Sequence, residues 1–272
     1  MKYEQIRKKL IIGKTVLFVG LPCQIAGIKN YLKTLKCSTE NLLMIDLICH
    51  GVTPPDYLKS HIRNIEKKCK ERATEVCFRD PEAYTYTFTF TLKNAIRTFY
   101  SKKVHRNDVY QLAYHKGIAY RENCYNCKFA NETRLGDITL SDFAGVGSIT
   151  KCEYDNKNVS CILVNTEKGK LWLKSLEKDG KIYLEERPIQ EEYLTEARLH
   201  TPTPIPNERK IFIEEFIKDR NFEKAMKKAA RNIILKNEIV YILHIEQFKK
   251  CISRIVPITI KKLIKKILKK YK

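Results

Sequence analysis

The sequence predicts an α/β fold, more fully a mixed α+β arrangement. It combines a βαβ parallel core sheet, an antiparallel strand insertion and a helical C-terminal tail. Three observations predict it. Apolar runs at residues 15–19 and 42–48 flank one amphipathic helical stretch, which is the pattern of a βαβ unit. Residues 84–92 alternate aromatic side chains with threonine at period two, as a half-exposed antiparallel strand does. Beyond the proline-rich run 201–206 the pattern is helical to the end.

Taken in order, residues 4–12 read as a helix that Gly13 stops. Residues 15–19 form a strand continuous enough in β-formers to be covered on both faces. A tight Gly20-Leu-Pro turn leads into a helix over about residues 23–35, with Ile25, Ile28, Leu32 and Leu35 on one face. Residues 42–48 give a second buried strand, and the double proline at 54–55 starts a helix to about residue 70. Residues 76–79 and 84–92 are strands, Asn94 lies in a turn, and 96–100 pair back. A helix spans residues 107–115, a strand 159–165, and Thr166 caps a helix over 169–176. Helices follow at 207–218, 222–231, 238–251 and 258–270. The expected division is residues 1–200 and a linker with basic tail at 201–272.

A chain of 272 residues with 43% hydrophobic and 31% charged side chains has the make-up of a soluble globular protein. The first ten residues are a charged helical pattern rather than a signal peptide, and no apolar run is long enough for a membrane span. The expected location is therefore cytoplasmic. The charge of +21 suggests nucleic acid, but residues 218–272 hold 17 Lys/Arg against 4 Asp/Glu, so the excess is concentrated in the tail. Interleaved acids elsewhere and the lack of a nucleic-acid motif exclude that class. The last helix sets Ile260, Leu263, Ile264, Ile267, Leu268 and Tyr271 against lysines, a face suited to peripheral contact with a membrane surface.

Ten cysteines in a reducing compartment argue for metal or redox chemistry. Cys23 stands where a helix begins, and the N–H groups and dipole there favour a thiolate. Cys49, in Cys49-His-Gly-Val-Thr-Pro-Pro55, follows the second strand directly. Parallel strands bring both cysteines to one carboxyl edge, where open α/β sheets bind ligands. Cys124-Tyr-Asn-Cys127 is the sole C-x-x-C pair; alone it fits a metal or a redox disulfide equally. With Cys23 and Cys49 at one edge, a four-thiolate site is the economical reading. Cys37, Cys69, Cys77, Cys152, Cys161 and Cys251 lack paired spacing and read as structural thiols. His50 fits a ligand, an acid–base group or, more readily, a turn residue. Arg134, Asp137 and Asp142 either bound a strand, tie the cysteine loop to the sheet, or touch a cofactor.

Six motifs in order carry a resemblance: Gly20-Leu-Pro-Cys-Gln-Ile-Ala-Gly27, Asp46-Leu-Ile-Cys-His-Gly-Val52, Phe78-Arg-Asp80, Cys124-Tyr-Asn-Cys-Lys-Phe129, Asp137-Ile-Thr-Leu-Ser-Asp-Phe143 and Val164-Asn-Thr-Glu-Lys-Gly169. Over about residues 5–200 the chain resembles the beta subunits of coenzyme F-420-reducing hydrogenase and F-420-linked formate dehydrogenase. It looks most like bacterial relatives found among polysaccharide-biosynthesis proteins.

The resemblance implies an iron–sulfur flavoprotein oxidoreductase or electron-transfer subunit. Cys23, Cys49, Cys124 and Cys127 match the 4Fe-4S ligands, and Gly20, Gln24, His50, Arg134, Asp137 and Asp142 are the implied contacts to a cofactor such as FAD. Relatives carry an amino-terminal ferredoxin module and a flavin-site segment, so a ferredoxin-like or flavin-site-completing partner chain is expected. The chain then reads as a fragment, a split subunit or a degenerate paralogue. Gly-Leu-Pro-Cys replaces the usual Gly-Thr-Pro-Cys, and Phe-Ala-Gly replaces Phe-Trp-Gly. Both changes fall on the flavin side and leave the cysteines intact. The alternative is a structural module holding zinc through cysteines, which the single close pair makes the weaker fit.

Overall fold

A computed structural model describes residues 2–80, 89–103, 108–155 and 158–242. Its contacts divide the chain into two units, each built from two stretches. The first is Met1–Val52 with Tyr120–Pro204, and the second Thr53–Ala119 with Ile205–Lys272.

The first unit opens with α1 (Lys2–Ile11), which ends before Gly13 at φ +73°. Then come β1 (Val16–Val19), α2 (Pro22–Thr34) and β2 (Leu42–Leu47). β1 and β2 pair in parallel with Val16 opposite Leu42, which completes the βαβ unit. After residue 119 the chain returns with α5 (Glu122–Tyr125), β6 (Ile138–Asp142), β7 (Ser160–Val164) and α6 (Glu167–Lys178). A short helix, α7 (Gln190–Tyr193), and a 3-10 turn at Ala197–Leu199 follow. The sheet order is β1-β2-β6-β7; β6 is parallel to β2, and β7 is antiparallel to β6. Three strands thus end at one carboxyl edge.

The expected two-sided burial holds for β2 and fails for β1. Leu42, Leu43, Met44 and Ile45 are buried, whereas Leu17 and Val19 are more than half exposed. β1 is an edge strand with helices on one face only, so every second side chain stays open. Ile25, Ile28 and Leu32 pack α2 against Leu10, Leu42 and Met44. Leu35 falls beyond the helix end and is exposed. β7 is likewise only partly buried.

The second unit contains α3 (Pro55–Cys69), β3 (Glu75–Cys77), β4 (Thr89–Lys93), β5 (Thr98–Lys103) and α4 (Val109–His115). After residue 204 it gains α8 (Glu208–Asp219), α9 (Phe222–Ala229) and α10 (Arg231–Ile242). The strands form an antiparallel sheet in the order β3-β4-β5. Asn94 builds the turn as expected, its side-chain oxygen accepting from the N–H groups of Ile96 and Arg97. The threonine strand departs from the half-exposed pattern, because β4 is central and Thr89, Phe90, Thr91 and Leu92 are all fully buried. Its threonines are satisfied inside: Thr91 meets Ser101 at 3.0 Å, and Thr89 accepts from the Asp80 N–H. One apolar cluster, including Tyr57, Phe90, Tyr110, Phe212 and Phe222, holds this unit. The 258–270 helix, Cys251 and most of the 238–251 helix lie outside the described residues, as do 84–88 of the threonine strand. No helix among the described residues is long and apolar enough to cross a membrane.

Candidate functional site

The site is built at the carboxyl edge of the first unit's parallel strands. Leaving β1, the Gly20 N–H still donates to Ile45 O at 3.0 Å. The chain then turns through Leu21, whose N–H donates to Gln24 Oε1 at 2.8 Å. Pro22 opens α2 at a position that needs no N–H, and Cys23 follows in the first turn. A Cβ on Gly20 would lie 3.1 Å from Gln24 Oε1 and 3.2 Å from the Phe18 ring.

β2 continues its ladder one residue further, Ile48 N–H donating to Leu140 O, and then releases Cys49. Gly51 has φ +143°, and a Cβ there would lie 2.3 Å from the Tyr120 ring. Only glycine fits this bend. The next carbonyl, of Val52, accepts from the Arg121 N–H at 2.8 Å and so fastens the Cys49 loop to the start of α5. Cys124 lies on α5 and Cys127 just after it. Between them Tyr125 is buried, and its hydroxyl accepts from the Tyr120 N–H.

Arg134 anchors the cysteine loop from beneath. Its guanidinium donates to the carbonyls of Phe129, Asn131 and Leu47 at 3.2–3.3 Å and pairs with Asp46 Oδ1 at 3.3 Å. Both side chains are almost wholly buried. Asp46 also accepts from the N–H groups of Leu135 and Gly136 and from the Thr139 hydroxyl. Three separated segments therefore deliver four cysteines to one edge, and a buried ion pair fixes the longest of them.

The model of the family described as the C terminus of the coenzyme F420 hydrogenase/dehydrogenase beta subunit matches residues 13–190. The chain belongs to this family. No curated protein matches the chain. The family match spans all four cysteines and ends before α8, so the helices from 205 onward lie outside the family's part.

In this family member the Cys124 and Cys127 sulfurs act on the ionisation of Cys23 and Cys49. Burial pushes the Cys49 thiol up to about 11, with Cys124, Cys23 and Cys127 adding to the rise and the Gly51 N–H opposing it. Cys23 keeps solvent contact, yet desolvation raises it too, followed by Cys127 and Cys124. The backbone N–H groups of Cys23 and Gln24 offset this only in part. The helix start thus fails to favour the Cys23 thiolate as its local position predicts, because burial and neighbouring sulfurs outweigh it. Among the described residues no three His, Cys, Asp or Glu side chains approach closely enough to hold one metal ion. A cluster differs from one ion in this respect, since each thiolate takes its own iron.

The residues implied as cofactor contacts divide in two. Gln24 holds its own turn, and Arg134 ties the cysteine loop to the sheet. Asp137 accepts from the Met44 N–H and the Thr166 hydroxyl, each at 2.8 Å, and pairs with Lys168 at 3.4 Å. His50 and Asp142 remain exposed; His50 Nε2 stands 3.6 Å from Glu196, and Asp142 ends β6. Two residues escape sequence reasoning. Asp46, present in the sequence only as the first residue of a resemblance motif with no role attached, is the buried partner of Arg134. Glu192, on α7, is a buried carboxylate. Burial raises its carboxyl above the ordinary range against a hydrogen bond from Ser141, and Glu196 and Asp142 add to the rise.

Proposed function

We propose that the first unit is an iron–sulfur electron-transfer domain of an oxidoreductase, in which Cys23, Cys49, Cys124 and Cys127 hold a 4Fe-4S cluster. The convergence of these four thiols at one sheet edge, where Cys23, Cys124 and Cys127 all act on Cys49, supports this reading within the matched family region. The donor set is all sulfur and comes from three segments, which suits a cluster that binds each cysteine at a separate iron. Such a group, when bound, supplies one-electron transfer, and a flavin such as FAD beside it pairs electrons for two-electron chemistry.

The chain's own residues position and shield the donors. Arg134, paired with Asp46, holds the Phe129 and Asn131 carbonyls just after Cys127, and Gly51 lets the Cys49 backbone pass close to Tyr120. His50 and Asp142, both exposed at this edge, are the proposed contacts to a flavin. A ferredoxin-like or flavin-site-completing chain is the proposed partner.

Anaerobic purification with iron, sulfide, zinc and flavin analysis on one sample tests this. The expected result is about four irons and four sulfides per chain, with visible absorption. Cys124→Ser should lose iron while Cys37→Ser keeps it. Stoichiometric zinc would instead make the domain a structural module, and equal iron loss from both variants would overturn the ligand set. Because burial raises the Cys23 and Cys49 thiols and ligands must deprotonate, cluster assembly on the apoprotein should quicken from about pH 7 to about pH 9.

A further inference from the structure

β1 carries a sheet edge that nothing among the described residues closes. It is the outer strand of the order β1-β2-β6-β7. Toward β2, the Val16 N–H donates to Asn41 O at 2.8 Å and the Gly20 N–H to Ile45 O at 3.0 Å. Backbone groups of alternate residues face opposite sides of a strand, so the N–H and C=O groups of Leu17 and Val19 point away from the sheet. No described residue bonds them.

The side chains of this edge are open as well. Leu17 is 51% exposed and Val19 56%, while their register partners Leu43 and Ile45 are buried. The apolar face that Ile45 and Ile138 share with α6 therefore runs out, uncovered, at β1. Proteins blunt such edges with a proline, a charge or a bulge, and Val16-Leu-Phe-Val19 has none of these. Ile11 and Ile12, just before β1, are also more than half exposed.

Charge selects the occupant. The Lys14 N–H donates to Lys9 O at 3.0 Å, which sets both lysines at the amino end of β1. Both are exposed, and neither pairs with a carboxylate among the described residues. Each copy of this chain carries a net charge of +21, so two copies repel one another. An acidic segment is attracted instead.

We propose that β1 is a docking edge for an extended segment of an acidic protein partner. The segment adds as a strand beside β1, lays apolar side chains on Leu17 and Val19, and sets carboxylates against Lys9 and Lys14. Main-chain bonds to Leu17 and Val19 supply the attachment, and the alternating side chains supply the selectivity. Because β1 runs into the Cys23 turn, one end of the added strand lies beside that turn. Docking needs only the edge, with or without a cluster.

Fluorescence anisotropy on the full chain tests this, with the labelled peptide Asp-Glu-Val-Thr-Val-Thr-Val-Glu-Asp as probe. Hydrogen exchange resolved to single amides is the second readout. The peptide should bind saturably and slow exchange at Leu17 and Val19 about tenfold or more. Proline in place of its central valine removes a ladder donor and should abolish binding. Lysines in place of its acids should weaken binding about tenfold or more. Leu17→Lys, at an exposed position, should weaken the peptide about tenfold with thermal unfolding unchanged, while Ile96→Lys in the β4–β5 turn leaves binding intact. Absence of saturable binding at millimolar peptide overturns the proposal, and so does binding that tolerates the proline. Binding that leaves exchange at Leu17 and Val19 unchanged belongs to the basic surface elsewhere and also overturns it. Concentration-dependent protection of these amides without peptide would make the occupant a second copy, against the proposal.

Discussion

The two units solve the problem of holding functional side chains in opposite ways. The first has two modest apolar clusters, around Leu32 and Ile138, and relies on buried charge to fix its loops. Asp46, Arg134, Asp137 and Glu191 each bridge segments far apart in sequence through several hydrogen bonds. The second unit encloses a His–Asp–Tyr network, of His61, Asp108 and Tyr100, in one large aromatic cluster. Loops that must present cysteines at an edge expose too little apolar surface to be held by packing, so directional polar bonds hold them. Side chains inside an aromatic cluster are held by shape instead. Polar substitutions should therefore disable the first unit's site, whereas cavity-forming substitutions should destabilise the second unit without touching the cysteines.

The strongest tests set these against each other. Asp46→Ala leaves the Arg134 charge buried and unpaired, which costs about 3–5 kcal/mol. Urea unfolding should show that loss, and iron should be lost from the protein that remains folded. Phe222→Ala, at a fully buried ring touching Tyr57, Tyr110 and Phe212, should cost about 3–5 kcal/mol with iron content of the folded fraction unchanged. Iron loss from the second variant and not the first would break the contrast between the units.

Gly51→Ala should come next. Backbone strain at φ +143° costs about 1–3 kcal/mol, and the methyl must also displace the Tyr120 ring. Thermal unfolding and reconstituted iron should fall together in that variant.

Acid sharpens the contrast within the first unit. The Arg187 guanidinium pulls the Glu191 carboxyl down to about 2, and the N–H groups of Thr150 and Ile149 add to this against burial. Its stabilisation is therefore fully present above the unfolded value near about 4.3 and is lost as pH falls toward about 2. Limited proteolysis by pepsin across this window should find residues 149–150 opening as pH falls, and hydrogen exchange at neutral pH should find them already open in Glu191→Gln.

Smallest is Thr166→Ala. It removes the cap on the Gly169 N–H and one donor to Asp137, for about 1 kcal/mol in urea unfolding, with the cysteine edge intact.

The cysteine edge was largely legible in the sequence because its logic is topological. Two parallel strands joined by one helix must end on the same side, so Cys23 and Cys49 share an edge whatever else the chain does. The Cys124–Cys127 spacing marked the remaining pair. The His–Asp–Tyr network was not legible. His61 sits in a plain amphipathic helix and Tyr100 in an aromatic strand, and only packing brings them together.

By itself the sequence determined the local features of this protein. Gly13 stops the first helix, Asn94 turns the hairpin, Thr166 caps a helix, and hydrophobic period separates helix from strand. These depend on dihedral preference and hydrogen bonds within a few residues. Tertiary structure alone decided that β4 is central and buried, that β1 has one open face, and that α8 and α9 pack with residues 53–119. It also decided that the Cys23 thiol is raised rather than lowered. Burial and electrostatics sum contributions from segments distant along the chain, and a local pattern does not carry those sums.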